Sequence, residues 1–520
     1  MRKKYFLLVL IAQLGFAQAP AIQWQKCFGG IGFDEAYSIV QTTDGGYVVA
    51  GSTNLNGGDV TGNHGLTDFW VVKVSSIGIL QWKKCYGGSA DDKAYCIQQT
   101  TDGGYIVAGS TVSTDGDVTG LHLNSFNPLW GDYWVIKIDS IGTLQWQKTI
   151  GGTSADQAHS IIQTTDGGYI VVGESYADHS WDGDFVNAAN IVKLSSTGAI
   201  EWVTYGGDYN YSVKQTTDGG YIVVGWLTGK FNVLKLDSMG VQQWQKFYGG
   251  SAGSDFAKSV IQTSDGGYMV AGYTQSSDGN VTGFHGGTND AWLVKLDSAG
   301  NLQWQKTLGG SYNDEAYSIQ QTADDGYIIA GQTNSNDGDV NGLHGAAGAI
   351  NCCAPITDYW VVKITNAGVI QWQKTMGGSY IDTATSIIKT SDGGYVVAGH
   401  TANNIVNSGD VTGFHLNTSV PNASGYDYWI VKLAPDALGI AAFASNQITV
   451  FPNPTASVIT VQNNANLVLD TIIVTDLTGK TVLLQTQNSN QINVEQLASG
   501  MYILRGFSGE EQYVSKFVKE

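Results

Sequence analysis

The chain has 520 residues, of which 14% are charged and 42% hydrophobic, and 45 acidic against 26 basic side chains leave a formal charge of −19. An acidic chain without a basic stripe is a poor ligand for nucleic acid or anionic lipid. Its 68 glycines, with turn signals at roughly 8 to 12 residue intervals, exclude a row of long helices.

The chain opens Met1-Arg2-Lys3-Lys4, runs apolar from Tyr5 to Leu14 and reaches Gly15-Phe16-Ala17-Gln18-Ala19-Pro20. A basic start, a short apolar run and small residues read as a secretory signal peptide over residues 1–17, cut after Ala17 because Pro20 disfavours a cut after Ala19. The apolar run is short of the ~20 residues of a helical span, and no other stretch is long and apolar enough to be one. No cysteine stands at the cut to carry lipid. Removing Arg2, Lys3 and Lys4 takes the charge to −22.

From there the sequence repeats. Gln-Thr-x-Asp-Gly-Gly-Tyr, followed by an apolar run and Gly, occurs seven times in close variants: Gln41–Gly51, Gln99–Gly109, Gln163–Gly173, Gln215–Gly225, Gln262–Gly272, Gln321–Gly331 and Lys389–Gly399. A second phrase, apolar-x-Trp-x-Lys or a near copy, centres on Trp24, Trp82, Trp146, Trp202, Trp244, Trp304 and Trp372, at spacings of 58, 64, 56, 42, 60 and 68 residues. Such a repeat is one supersecondary unit that must bury its apolar face against its neighbours.

In the second copy, Ala94–Thr100 is a strand, Thr101–Gly104 a tight hairpin turn and Tyr105–Gly109 the returning strand. After a long polar loop come a third strand, Asp132–Ile138, a turn at Asp139–Gly142, and a fourth strand, Thr143–Lys148. Four antiparallel strands per copy predict a propeller blade. Ile22–Lys26 is a fourth strand without its first three, and the seventh copy stops after a third strand, Tyr428–Leu433. The expected fold is therefore all-β: a seven-bladed propeller over residues 18–433, closed by its N-terminal strand, with the seven tryptophans packed between blades. The stretch Leu236–Trp244, Leu-Asp-Ser-x-Gly-x-x-x-Trp, resembles the tryptophan-docking repeat of quinoprotein-type propellers.

Long loops collect on one face, where binding residues usually sit. Five loops share Asp/Asn-Val-x-Gly-x-His: Asp59 with His64, Asp117 with His122, Asn280 with His285, Asp339 with His344 and Asp410 with His415. These are candidate ligands for a sugar or for calcium, set against a plainer reading in which Asp closes a turn and His packs on a neighbour. A second set, Asp34, Asp92, Asp156, Asp255, Asp314 and Asp382, opens the first strands and is expected to cap turns or to ring the channel mouth. The third copy carries Asp178, His179, Trp181, Asp182 and Asp184 in place of the His loop. The fourth has only Thr228-Gly229-Lys230, a notch beside that aromatic and acidic loop. No nucleophile elbow, His-Glu-x-x-His or phosphate loop is present.

Five cysteines cannot all pair. Cys27, Cys85 and Cys96 read as small buried residues, and Cys352-Cys353 as a candidate vicinal disulfide.

After a linker at 434–447 the repeat gives way to short apolar strands that predict a small antiparallel sandwich over 448–520. Its landmarks are Phe451-Pro452-Asn453-Pro454, Asp476-Leu477-Thr478-Gly479-Lys480, Gly500-Met501-Tyr502 and Lys516-Phe517-Val518-Lys519. In this order and at this place they resemble the type A sorting domain of the bacterial type IX secretion pathway, departing from it only at Phe451, where Tyr is commoner. The resemblance implies a Bacteroidota source, export through the pathway's translocon and removal of this domain by its sortase. The propeller is then released or held on surface glycolipid.

The function expected is a secreted or surface binding or adhesion protein without chemistry of its own, taking a glycan or protein ligand on the long-loop face. It needs no cofactor beyond the calcium considered above. The alternatives are a structural part of an outer-membrane assembly and a glycan-active or quinoprotein-like enzyme.

Overall fold

The computed structural model describes residues 18–122, 131–152, 154–175, 190–251, 253–351, 354–403, 407–416, 425–436, 448–463, 469–476, 480–486, 490–508 and 511–520. All regular structure in these residues is β. The chain divides into two compact units between Asp436 and Ala437.

In the first unit each copy of the repeat forms four antiparallel strands. Sheet 1, for example, consists of Asp34–Gln41, Tyr47–Thr53, Asp68–Val74 and Leu80–Tyr86. Sheets 2, 5 and 6 follow the same order. Sheets 3 and 4 are joined through one bridge, Glu174 to Tyr209. Sheet 7 takes its first three strands from Asp382–Lys389, Tyr395–Asn403 and Gly425–Leu433, and its fourth from Ile22–Phe28 at the other end of the chain. The register is that of a regular copy: Trp24 lies opposite Lys432 as Trp82 lies opposite Lys73.

The repeated phrase is a set of turn and inter-sheet contacts. In Thr42–Gly46 the Thr42 hydroxyl and the Gly46 N–H donate to Asp44, and Gly45 takes φ +82°, where a side chain is strained. The sixth copy puts Asp325 there at φ +60°. A buried Lys from the third strand closes each turn, from Lys73–Asp44 to Lys432–Asp392, at 2.8–3.0 Å in all seven copies. Burial opposes ionisation of Asp44, but the Thr42 hydroxyl, Lys73 and the Gly46 N–H outweigh it and hold the carboxyl at about 2.

Each repeat tryptophan packs on the motif tyrosine of the next sheet at 5.9–6.4 Å between ring centroids, including Trp24 on Tyr47. Six of the seven are half-buried and only Trp372 is fully buried. The large buried indoles are instead third-strand residues such as Trp70, Trp134, Trp292 and Trp429. Trp429 Nε1 donates to Gln25 on the N-terminal strand, as Trp134 does to Gln147 in sheet 2.

Apolar clusters join each sheet to the next. One of them unites Tyr428 and Ile430 of sheet 7 with Val49, Trp70 and Val72 of sheet 1. The first strands also latch to one another: Ile39 N–H donates to Ser386 Oγ, Ile97 to Ser38, Val213 to Ser160 and Ile387 to Ser318. Cys27 is buried, whereas Cys85 and Cys96 are only partly so; Cys96 occupies a latch position where other copies carry Ser.

The segment assigned to a linker begins later than expected. Asp436 accepts hydrogen bonds from Trp372 Nε1 at 2.9 Å and the Tyr395 hydroxyl at 2.6 Å, and it pairs with Lys363, so 434–436 belongs to the first unit.

The second unit is a sandwich of a three-stranded sheet (Ile448–Phe451, Val458–Asn463, Gln491–Asn493) and a four-stranded one (Thr471–Thr475, Thr481–Gln485, Gly500–Ser508, Glu511–Lys519). Ile459, Val461, Ile472, Val474, Leu504 and Phe517 are among its core residues.

Candidate functional site

The five rim histidines are committed to the fold. His64 Nδ1 lies 2.6 Å from Asp68 Oδ2, and the His64 backbone N–H donates to the same oxygen. His122 with Asp132, His285 with Asp290, His344 with Asp358 and His415 with Asp427 repeat this at 2.6–2.9 Å. Where the next loop is close, the far nitrogen faces that loop's acid. His285 Nε2 is 3.9 Å from Asp339, His344 Nε2 3.5 Å from Asp410, and His415 Nε2 3.6 Å from Asp59.

The motif Asp also holds its own sheet edge, since the Gly87 N–H donates to Asp117 and that of Gly309 to Asp339. The arrangement is an Asp–His–Asp clasp between sheets rather than ligands converging on one ion. Among the described residues no three His, Cys, Asp or Glu side chains are placed to share a metal. Asp358 and Asp427 hold His344 and His415 above the usual imidazole range.

The first-strand acids do not ring a mouth. Asp34, Asp92, Asp255, Asp314 and Asp382 are fully buried and Asp156 nearly so. Asp34 Oδ2 accepts the Gly30 N–H at 2.7 Å, Asp92 that of Gly88 at 2.8 Å, and Asp382 that of Gly378 at 2.7 Å. A Cβ on Gly29 would meet Asp427 Oδ1 at 2.4 Å and Asp34 Oδ2 at 2.7 Å, so two carboxyls of adjacent sheets flank this glycine. Burial pushes Asp34 up to about 7, against the Thr53 hydroxyl and the Gly30 N–H, and Asp92, Asp156 and Asp314 up to about 6. These carboxyls are turn caps whose burial makes ionisation less favourable than in water.

Asp178, His179, Trp181, Asp182 and Asp184 lie outside the described residues, as do residues 1–17, Cys352-Cys353 and Gly479. The fourth copy has the expected short connection, a two-residue turn at Thr228-Gly229 with φ of 51° and 84°.

One further set of side chains was not singled out in the sequence. First strands of successive sheets lie side by side, the seventh beside the first. Three residues beyond each first-strand acid, or its counterpart in sheet 4, the sequence reads Tyr37, Tyr95, His159, Tyr211, Lys258, Tyr317 and Thr385.

All are half-buried, and their rings form a chain across sheets: Tyr37–Tyr95 at 4.9 Å, Tyr95–His159 at 5.6 Å and His159–Tyr211 at 4.9 Å. Lys258 Nζ sits 3.4 Å over the Tyr211 ring. Burial pulls this ammonium down to about 8, while Glu315 and Glu174 hold it up. The chain continues from Tyr211 to Tyr209 at 6.1 Å and on through Trp226, Phe256 and Tyr273 at 5.1–5.9 Å per step. Of the surrounding acids, Glu35 accepts from Tyr37 at 2.9 Å and Glu315 from Tyr317 and Gln332. The signal for this set was present in the repeat as positions of fixed offset whose residues change from copy to copy.

In the C-terminal unit the landmark residues hold the sandwich together. Asn453 accepts from Val518 N–H and donates to the Lys516 carbonyl. Asp476 Oδ1 accepts the Lys480 N–H at 3.0 Å. Tyr502 stacks on Phe517 at 5.6 Å and donates to the Ala498 carbonyl, and Gly500 pairs with Lys519. Pro452 and Pro454 flank Asn453 at the end of a strand. Residues 449–520 match the family described as the secretion system C-terminal sorting domain. The C-terminal unit is a sorting domain. A sorting domain of this kind supports export by the type IX pathway to the outer surface or the medium and implies contact with that pathway's machinery. Among the described residues no helix is long and apolar enough to cross a membrane.

No curated protein matches the chain. Solved structures resemble it weakly. The extracellular domain of a putative hybrid two-component system from B. thetaiotaomicron is 9% identical, with 96% of this chain and 60% of that one covered and a TM-score of 0.42. The Pan2 WD40 domain of Neurospora crassa is 10% identical over 77% and 89% of the two chains, with a TM-score of 0.41. A fungal alcohol oxidase in complex with copper is 13% identical over 96% and 100%, with a TM-score of 0.42.

Proposed function

We propose that the first unit is a closed seven-bladed propeller, and that the exported protein is a binding protein without chemistry of its own. Its ligand enters along the axis from the long-loop face. The observation that carries this reading is the contrast between two sets of positions. Most residues that recur across the copies are consumed by turns, clasps and latches, while the half-buried positions facing one another across the first strands change between Tyr, His, Lys and Thr. A fold maintained only for shape has no use for such a lining, and concave aromatic surfaces with a few polar groups are where ligands bind.

The rim Asp/His pairs keep the mouth in shape. Glu35 and Glu315 already accept hydrogen bonds from neighbouring hydroxyls, an arrangement suited to fixed recognition groups rather than to a free general base.

Retention of the purified full-length protein on immobilised surface polysaccharides and envelope proteins tests the reading. Retention that disappears in a Tyr37→Ala/Tyr95→Ala variant with intact melting supports it. Retention unchanged in that variant, or turnover of a retained polymer, overturns it.

A further inference from the structure

Between sheets 3 and 6 the lining departs furthest from the repeat. Five aromatic rings run in sequence, Tyr211, Tyr209, Trp226, Phe256 and Tyr273. Tyr209 lies parallel to Tyr211 at 6.1 Å, and Trp226 parallel to Phe256 at 5.9 Å, both pairs within 14°. The polar groups along this row are unevenly satisfied. The Lys258 ammonium rests on the Tyr211 face with no hydrogen bond or ion pair to a described residue. Trp226 Nε1 is buried without a hydrogen-bond partner, while the buried His159 Nε2 reaches Glu174 only at an ion-pair distance of 3.8 Å. Buried nitrogens of this kind are normally paired, and leaving them unpaired is costly.

From this geometry we infer that the row from Tyr211 to Tyr273 is a subsite for a neutral saccharide, with pyranose faces stacked on the rings and hydroxyls bonded to Lys258, Trp226 and Glu174. The inference rests on the binding-protein reading and adds the ligand's class. Consecutive flat rings with donors and acceptors at their edges match a sugar, which presents an apolar C–H face and a rim of hydroxyls that both donate and accept. A vicinal diol can accept from the Lys258 ammonium and donate to a carboxylate at once. Charge selects against the acidic alternative. The chain carries −19, and Glu174 and Glu315 both act on Lys258, so a polyuronate meets repulsion on its way to that ammonium. A cationic ligand would have to displace the ammonium already seated on Tyr211.

The test is tryptophan fluorescence and calorimetric titration of the full-length protein with cellohexaose, xylohexaose, mannohexaose and maltohexaose, and with hexagalacturonate as the charged arm. Saturable binding of at least one neutral hexamer is expected, weakened at least tenfold by Lys258→Met and severalfold by Trp226→Phe, which keeps a ring and removes the N–H. Both variants should melt as the parent does. The inference is overturned if none of the four neutral hexamers binds at millimolar concentration, if only the uronate binds, or if both variants bind a neutral hexamer as tightly as the parent. Failure with all hexamers while the protein is still retained on a surface polymer, with Tyr37 and Tyr95 required, would remove the saccharide class and leave the binding reading standing.

Discussion

Replacing Trp24 by Ala asks whether the N-terminal strand closes the ring. In an open array Trp24 would sit on a terminal strand that frays freely, and its loss would change stability by a few tenths of a kcal/mol. In the structure Trp24 contacts Tyr47 of sheet 1 at 6.0 Å, as Trp146 contacts Tyr169 at 5.9 Å. Full burial of an indole is worth ~3–5 kcal/mol, and Trp24 and Trp146 are each half-buried. The expected loss is therefore about 2 kcal/mol for either site, including the ring–ring contact. A unit of about 400 residues unfolds with an entropy near 0.8 kcal/mol/K, so 2 kcal/mol moves the melting point by only about 2–3 °C. Guanidinium chloride unfolding of the full-length protein, with Trp24→Ala and Trp146→Ala measured side by side, is the sharper assay. Equal losses support closure. A Trp24→Ala protein within ~0.5 kcal/mol of the parent, beside a Trp146→Ala protein that loses the full amount, would refute it.

Because Asp34, Asp92, Asp156 and Asp314 have native values of about 6 to 7, the native state binds more protons than the unfolded chain between about pH 4 and 7, and stability should fall as pH rises through that window. The turn acids held near 2, such as Asp44 and Asp102, act in the opposite sense and lose their contribution below about pH 4. Melting curves from pH 3 to 8 should therefore peak near pH 4–5, and a steady rise to pH 8 would contradict the buried-acid account. Asp92→Asn should flatten the fall between pH 5 and 7. A chain ending at Ala434 should unfold more readily than one ending at Asp436, by about 2–3 kcal/mol, since only the second keeps the carboxylate that accepts from Trp372, Tyr395 and Lys363; equal unfolding midpoints would refute that anchor. In the native host, deleting 449–520 should leave the protein in the periplasm, and its appearance in surface or medium fractions would show that export does not depend on the tail.

Local turn chemistry was fully legible. Thr-x-Asp-Gly-Gly dictates its own hairpin because the acid, the hydroxyl and the positive-φ glycine all lie within five residues. The edge tryptophans were legible as packing residues, although six of them cover a neighbouring tyrosine half-exposed rather than sinking into a core. The rim histidines were visible as a motif, but their partners were not: Asp68 and Asp427 lie in third strands four and twelve residues downstream, and only folding brings them to Nδ1. The first-strand acids were legible as caps and misplaced at a channel mouth, since nothing in their spacing reveals a neighbouring sheet's carboxyl behind the same glycine. The first-strand row of rings was overlooked because comparison of repeats draws the eye to what recurs. Recurrence marks the scaffold, whereas Lys258 among tyrosines is visible only as an exception. Asp436 lies beyond the last repeat and gains its role from strands more than forty residues away in sequence.

Hydrogen–deuterium exchange of the full-length protein, with and without a bound neutral hexasaccharide, tests the central claim most directly. The account predicts protection in Tyr209–Gln215, Tyr221–Leu227, Asp255–Gln262 and Tyr268–Thr274, the strands that carry the aromatic row and Lys258, and no change in the rim segments 59–64 and 117–122. Protection confined to the rim loops, with the first strands unaltered, would show that ligands bind at the Asp/His pairs and that the axial lining is only scaffold.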